Sequence, residues 1–117
     1  PISYVLDNDG HIYFHCAQEG YKLECLKLNP KVSFCVVGET RVIPQQFSTA
    51  YESAIAFGTI RMDLPEEERL LALRLLAKKY SPDFEELGEK YIAKSFHRTN
   101  ILRLDIEHIS GKCKRIK

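Results

Sequence analysis

The sequence predicts a small α+β domain built on an antiparallel β-barrel with short helices. Its elements run strand, strand, helix, strand, strand, helix, helix, strand, which is not the regular alternation of a doubly wound parallel sheet. The first half is rich in turn residues that suit antiparallel pairing. The last long element, Asn100 to Ser110, alternates apolar and charged residues with a period of two.

Ile2 to Leu6 is a short β-rich run, Asp7-Asn8-Asp9-Gly10 is a turn of the Asp-Gly kind, and His11 to His15 is a second β-rich run, so the chain opens on a hairpin. From Gly20 to Asn29 the period changes to that of a helix. Leu23 and Leu26, with Cys25 beside them, form its apolar stripe, and Asn29-Pro30 stops it. Val32 to Val37 reads as a fully buried strand bounded by Pro30 and Gly38, and Arg41 to Gln46 fits no single element.

Tyr51 to Met62 reads as a long strand with Ser53, Ile55, Phe57 and Thr59 on one face. The other face carries Ala54, Ala56, Gly58 and Ile60, small residues that predict close approach of another backbone or a ligand. Asp63 is placed to cap the next helix with Glu66 as its reciprocal partner and Pro65 in the first turn. That helix has Glu66, Glu67 and Glu68 at the positive end of its dipole and Lys78 and Lys79 at the other. Leu70, Leu73, Leu76, Ala77 and Tyr80 make a broad apolar face. Ser81-Pro82-Asp83 breaks it, and Phe84 to Ser95 is a further short helix weakened by Gly88. In the final strand Leu102, Leu104 and Ile106 share one face, Arg103, Asp105 and Glu107 the other, and Gly111 is expected to end it.

With 117 residues, 44% hydrophobic and 28% charged, the whole of residues 1–117 is one ordinary domain. A domain of this size has no room to enclose a large cofactor, so a sizeable ligand site belongs at an edge or between subunits. The net charge of +1 offers no field for a polyanion or an anionic membrane, which sets nucleic acid aside as a partner. No apolar run approaches the length of a membrane helix and no signal peptide is visible, so the expected location is the cytoplasm. Cys16, Cys25, Cys35 and Cys113 contain no CxxC pair and match no zinc framework. They read as free, mostly buried thiols in a reducing compartment, with no metal site.

No HExxH, GxSxG or calcium-loop spacing is present among the four scattered histidines and the acidic turn. The informative stretch is Ile12 to Leu23, where a strand ends, Gly20 lets backbone approach closely, and a helix begins with Lys22 in its first turn. Helix N-termini offer unpaired N–H groups to phosphate, to which Lys22 adds a charge. The alternative is a loop glycine followed by a solvated lysine.

Three segments carry a resemblance. They are Ile12-Tyr13-Phe14-His15-Cys16-Ala17 continuing through Glu19-Gly20 and Lys22-Leu23 to Cys25-Leu26, then Asn29-Pro30-Lys31-Val32-Ser33-Phe34, then Tyr51-Glu52-Ser53-Ala54-Ile55-Ala56-Phe57-Gly58. Together they resemble the nitroimidazole-resistance branch of the pyridoxamine 5′-phosphate oxidase-like flavin proteins, and the match continues through the helix at Glu66 to Tyr80 and the strand ending Ile109-Ser110-Gly111-Lys112. The resemblance implies a split β-barrel of the FMN-binding type that holds FMN, or FAD, at the interface of a homodimer. It also implies a flavin-dependent reductase of small electrophilic substrates such as nitroaromatics. A non-catalytic flavin- or haem-binding module and a remnant that binds nothing are the alternatives.

By the same resemblance the strand bearing Phe14, His15, Cys16 and Ala17 runs beside the flavin ring. Gly20 and Lys22 meet the phosphate, and Ser53 with Tyr51 contacts the phosphate or ribityl chain. His15 has two readings, a hydrogen-bond or proton donor to flavin or substrate and a strand-end histidine satisfied by backbone. Cys16 is read as a small packing residue. Relatives carry a further N-terminal stretch before the segment matching Pro1 to Leu6. The chain is therefore expected to be a short, processed, truncated or incomplete form with an exposed barrel edge. His97-Arg98 is read as a solvated turn, and Lys112, Lys114, Arg115 and Lys117 as a solvated basic tail.

Overall fold

A computed structural model describes residues 2–116; Pro1 and the Lys117 of the basic tail lie outside the described residues. The strands are β1 (Tyr4–Leu6), β2 (His11–Ala17), β3 (Lys31–Ile43), β4 (Ser48–Arg61) and β5 (Thr99–Lys114). The helices are α1 (Tyr21–Leu28), α2 (Glu66–Tyr80) and α3 (Glu85–Ser95), with 3-10 turns at Pro44–Gln46 and Phe96–Arg98. All pairings are antiparallel, in the order β1-β2-β5-β4-β3. The sheet curls into a half-barrel. Its two outer strands approach through side chains, with the Tyr4 and Phe34 rings 5.1 Å apart and Phe14 packed edge-on against Phe34 at 4.9 Å.

Alternation on β2 sends Ile12 and Phe14 into the barrel, where α1 plugs the end with Leu23 and Leu26. Tyr13 faces the other way and packs with Val5 and Ile101 against Ala72 and Leu76 of α2. The apolar face of α2 serves two neighbours: Ala72 and Leu76 lie buried on the sheet with Leu73 packed beside them, while Leu73, Leu76, Ala77 and Tyr80 also border the cleft toward α3. Arg103 joins the layers at their border, its guanidinium donating to Glu68 at 2.7 Å and to Asp105 at 2.7 Å, while the Tyr13 hydroxyl donates to the same Glu68. The Tyr80 hydroxyl donates to the Tyr4 carbonyl and accepts from the Tyr4 N–H, both at 3.0 Å, so the end of α2 satisfies the free edge of β1.

Several sequence expectations are corrected. β3 is not a fully buried strand ending at Gly38: Ser33, Cys35 and Val37 are exposed because β3 is the edge of the sheet, and it runs past a bulge at Val37/Thr40 to Ile43. The ambiguous Arg41 to Gln46 supplies the end of β3 and a 3-10 turn, closed by Phe47 in the left-handed region at φ 51°. Asp63 does not cap α2. A proline disfavours helical backbone in the residue before it, here Leu64, and the helix starts at Glu66 with Pro65 itself at the cap. β5 continues through Gly111 to Lys114 because β4 offers it partners throughout, Ala54 opposite Gly111 and Tyr51 opposite Lys114.

The outer halves of β3, β4 and β5 form an arm that contributes to neither of the two core clusters, with Ile43 the one buried apolar side chain among its described residues. The radius of gyration is 16.9 Å, against about 13 Å for a compact chain of similar length. Among the described residues no helix is long and apolar enough to cross a membrane.

Gly58 explains the small face of β4. At the bulge between Phe57 and Gly58 a β-carbon would fall on the Asp105 carbonyl of β5, well inside contact distance. Gly58→Ala is therefore expected to cost about 1–3 kcal/mol, as overpacking does, read as a lowered denaturation midpoint. The hairpin turn gives a second test. Burial alone would raise the Asp7 carboxyl, but hydrogen bonds from the His11 and Asp9 N–H groups and from the His11 ring outweigh it and hold the carboxyl below its ordinary 3.8. A depressed folded pKa stabilises above the unfolded value and the benefit is lost as pH falls through the folded one. The stability gap between wild type and Asp7→Asn should thus be full at neutral pH and close below pH 3.8 in acid denaturation titrations.

Candidate functional site

The expected site residues occupy three different places. Phe14 is 5% exposed and belongs to the barrel core, so only its backbone is available on β2. Strand alternation puts Cys16 on the same inner side, half-buried against that core, and sends His15 to the outer face. Ala17 is the exposed last residue of β2.

Gly20 stands at the N-cap of α1 with φ 153°, a conformation L side chains rarely adopt, which accounts for glycine here. The first backbone hydrogen bond of the helix runs from Glu24 N–H to the Gly20 carbonyl, leaving the N–H groups of the first turn open. Lys22 lies on that turn and borders a cleft of about 710 Å³ with Ile2, Tyr4, Phe34 and Val37, between the edges of β1 and β3. Open N–H groups and an ammonium at one rim suit a phosphate.

Tyr51 and Ser53 sit half-buried on the arm, on the face of β4 opposite to the core-facing Ala56, Gly58 and Ile60. The register gives them neighbours that sequence reading left as a solvated tail: Lys112 directly opposite Ser53 and Lys114 opposite Tyr51. Tyr51 and Lys114 border a second concavity of about 430 Å³ with Arg41 and Arg115. No pattern in the sequence marks these lysines, since only strand register brings them to Ser53 and Tyr51. His15 borders a third concavity, between β2, α2 and α3.

The thiols depart from expectation. Cys25, Cys35 and Cys113 are exposed and only Cys16 is partly buried, because Cys25 falls outside the Leu23/Leu26 stripe, Cys35 on the open face of edge strand β3, and Cys113 on the arm. Burial raises the Cys16 thiol, and the nearby Lys22 charge only partly offsets this, which fits a packing residue rather than a reactive thiolate.

A family model described as pyridoxamine 5′-phosphate oxidase matches residues 1–113. The chain belongs to this family. The solved structures agree on the fold. A candidate 5-nitroimidazole antibiotic resistance protein from Bacteroides thetaiotaomicron matches with a TM-score of 0.71 at 21% identity over 95% of this chain and 65% of its own. A FAD-binding protein from Mesorhizobium loti gives 0.60 at 20% identity over 97% of this chain and 75% of its own. A flavocytochrome from Azotobacter vinelandii gives 0.76 at 18% identity over 98% of this chain and 55% of its own. The chain thus spans just under two thirds of the first of these and about half of the flavocytochrome. No curated protein matches. Within the family the half-barrel and three helices seen here are the expected α+β split barrel.

Thiol reactivity checks this placement. Iodoacetamide should modify Cys25, Cys35 and Cys113 in the native protein well before Cys16, with the order read by peptide mass mapping and abolished in denaturant.

Proposed function

We propose that the chain binds a flavin, FMN with FAD as the alternative, in the seam of a homodimer, and acts as a flavin-dependent reductase of small electrophilic substrates such as nitroaromatics. The observation that carries this reading is that His15, Lys22 and Tyr51 border three separate concavities of one chain. One copy therefore does not surround a planar ring with these groups, whereas a second copy supplies the missing walls. The arm offers surface for it, with Val37, Val42 and Phe47 largely exposed there.

The residues present fit a flavin phosphate. Lys22 and the open first turn of α1 would hold it from one side, with Gly20 allowing close approach, and Ser53 and Tyr51 from the arm would meet the phosphate or ribityl chain. The backbone of Phe14 to Ala17 would line the ring. When bound, the flavin supplies hydride and electron chemistry, which these side chains do not carry. The protein's part is to position and neutralise. The exposed His15 imidazole on β2 would donate a hydrogen bond or a proton to a substrate, and Cys16 stays a packing thiol. The likeness to a candidate nitroimidazole resistance protein and to a FAD-binding protein supports the reading, and four unpaired thiols suit the cytoplasm. The flavocytochrome likeness, together with an exposed imidazole at His15, favours a second reading as a non-catalytic flavin or haem binder.

A visible spectrum of the purified protein distinguishes flavin from haem by flavin bands or a Soret band, turnover of a nitroaromatic distinguishes a reductase from a non-catalytic flavin binder, and sedimentation decides the dimer. Lys22→Ala should weaken FMN binding by about one to two powers of ten while leaving riboflavin, which lacks the phosphate, nearly unchanged. Equal losses for both ligands would move Lys22 from phosphate binding to folding.

A further inference from the structure

We propose that the arm of one copy docks on the exposed start of α3 in a second copy, and that the contact is made twice in a two-fold dimer, each copy giving one arm and one α3. This rests on the dimer reading above and names the surfaces that meet.

Register sets the docking face of the arm. Val37 lies opposite Ser53 and Ser53 opposite Lys112, Thr40 opposite Tyr51 and Tyr51 opposite Lys114, and Val42 opposite Thr49. Thr49, Tyr51 and Ser53 alternate along β4, so all of these residues share one face of the sheet. Val37 and Val42 are 62% and 68% exposed there. Lys112 and Lys114 are exposed too, with no ion-pair partner among the described residues. Phe47, at the hairpin tip, is 98% exposed, in a turn closed by its own N–H on the Pro44 carbonyl at 3.1 Å. The acidic groups of the arm lie off this face. Alternation turns Glu52 to the other side, and Glu39 sits in the bulge, bordering the same concavity as Arg41.

Charge selects the opposing surface. The start of α3 carries Phe84 and Leu87, 61% and 64% exposed, in a shallow concavity with Asp83, Glu85 and Glu86. Lys90 is the only cation bordering it among the described residues. Glu89 further along is engaged by Arg74 at 2.9 Å, whereas Asp83, Glu85 and Glu86 have no ion-pair partner among the described residues. Both surfaces are apolar and exposed, one basic and the other acidic, which is the complementarity that steers and fixes an interface. Two arms laid face to face would instead bring Lys112 and Lys114 of both copies together, and two α3 starts would oppose their carboxylates.

The test is sedimentation of the purified full chain with saturating FMN in about 50 mM salt, where exposed charges are weakly screened. Lys112→Glu with Lys114→Glu makes the arm acidic, and Glu85→Lys with Glu86→Lys makes the start of α3 basic. Each reversed protein alone opposes like charges at both contacts, so its dimer should be weakened at least about tenfold. An equal mixture of the two should return to dimer, because an acidic arm then meets a basic α3 and a basic arm an acidic one. That recovery also shows that both reversed proteins are folded. Phe47→Asn, which keeps a residue at ease in the left-handed region, should weaken the wild-type dimer by a similar factor. A wild-type dimer that ignores either reversal or the loss of the Phe47 ring, or a mixture that stays dissociated, overturns this contact and leaves the flavin seam standing. A monomeric wild type overturns both.

Discussion

The structure depends on burying the β2–β5 pair on both faces. Ile101 and Leu102 are neighbours in sequence and point to opposite sides, yet they are 0% and 2% exposed. One of them closes the barrel and the other supports α2. Their strand is the hinge between the two apolar clusters, and its backbone ladder to β2 runs through the driest part of the molecule, where an unpaired N–H or carbonyl would be costly. Everything that defines the site is measured from this pair. β2 carries Phe14 to Ala17 along it, α1 plugs the barrel beneath it, and α2 is held across it.

The charged groups at the border of the layers orient that packing more than they add to stability. Glu68 receives both the Tyr13 hydroxyl and the Arg103 guanidinium, with side chains about one-fifth exposed, so α2 can sit in only one rotation over the sheet. Burial, and then the bond to Glu68, raise the Tyr13 hydroxyl far above its ordinary range and keep it a donor. Beyond Glu107 this order ends. β5 keeps its ladder to β4 but loses cover on both sides, and the arm it forms presents Ser53 and Tyr51 beside Lys112 and Lys114. The molecule therefore divides into a two-layered body that fixes β2 and an arm that carries Ser53, Tyr51, Lys112 and Lys114.

Much was legible in the sequence for local reasons. The Asp-Gly turn, the Asn29-Pro30 stop, the charge gradient along α2 and the small face of Tyr51 to Met62 each follow from chemistry within a few residues, and each element formed where expected to within a few positions. The errors share one cause. Whether β3 is buried, where β5 ends and which thiols are exposed depend on which strand lies alongside, and no local pattern states that. Asp63 fails as a cap for a reason that was local, the effect of Pro65 on Leu64.

The sequence by itself determined most of the elements, their antiparallel sense and, through Ile12 to Leu26, Asn29 to Phe34 and Tyr51 to Gly58, the family. Those follow from short-range sterics, periodicity and a motif. The tertiary structure alone decided that His15 and Cys16, adjacent in the chain, serve different faces of the sheet. It alone set Lys112 and Lys114 opposite Ser53 and Tyr51. It also opened the α2–α3 cleft over His15, because register, curl and helix docking are set by long-range burial that no window of sequence contains.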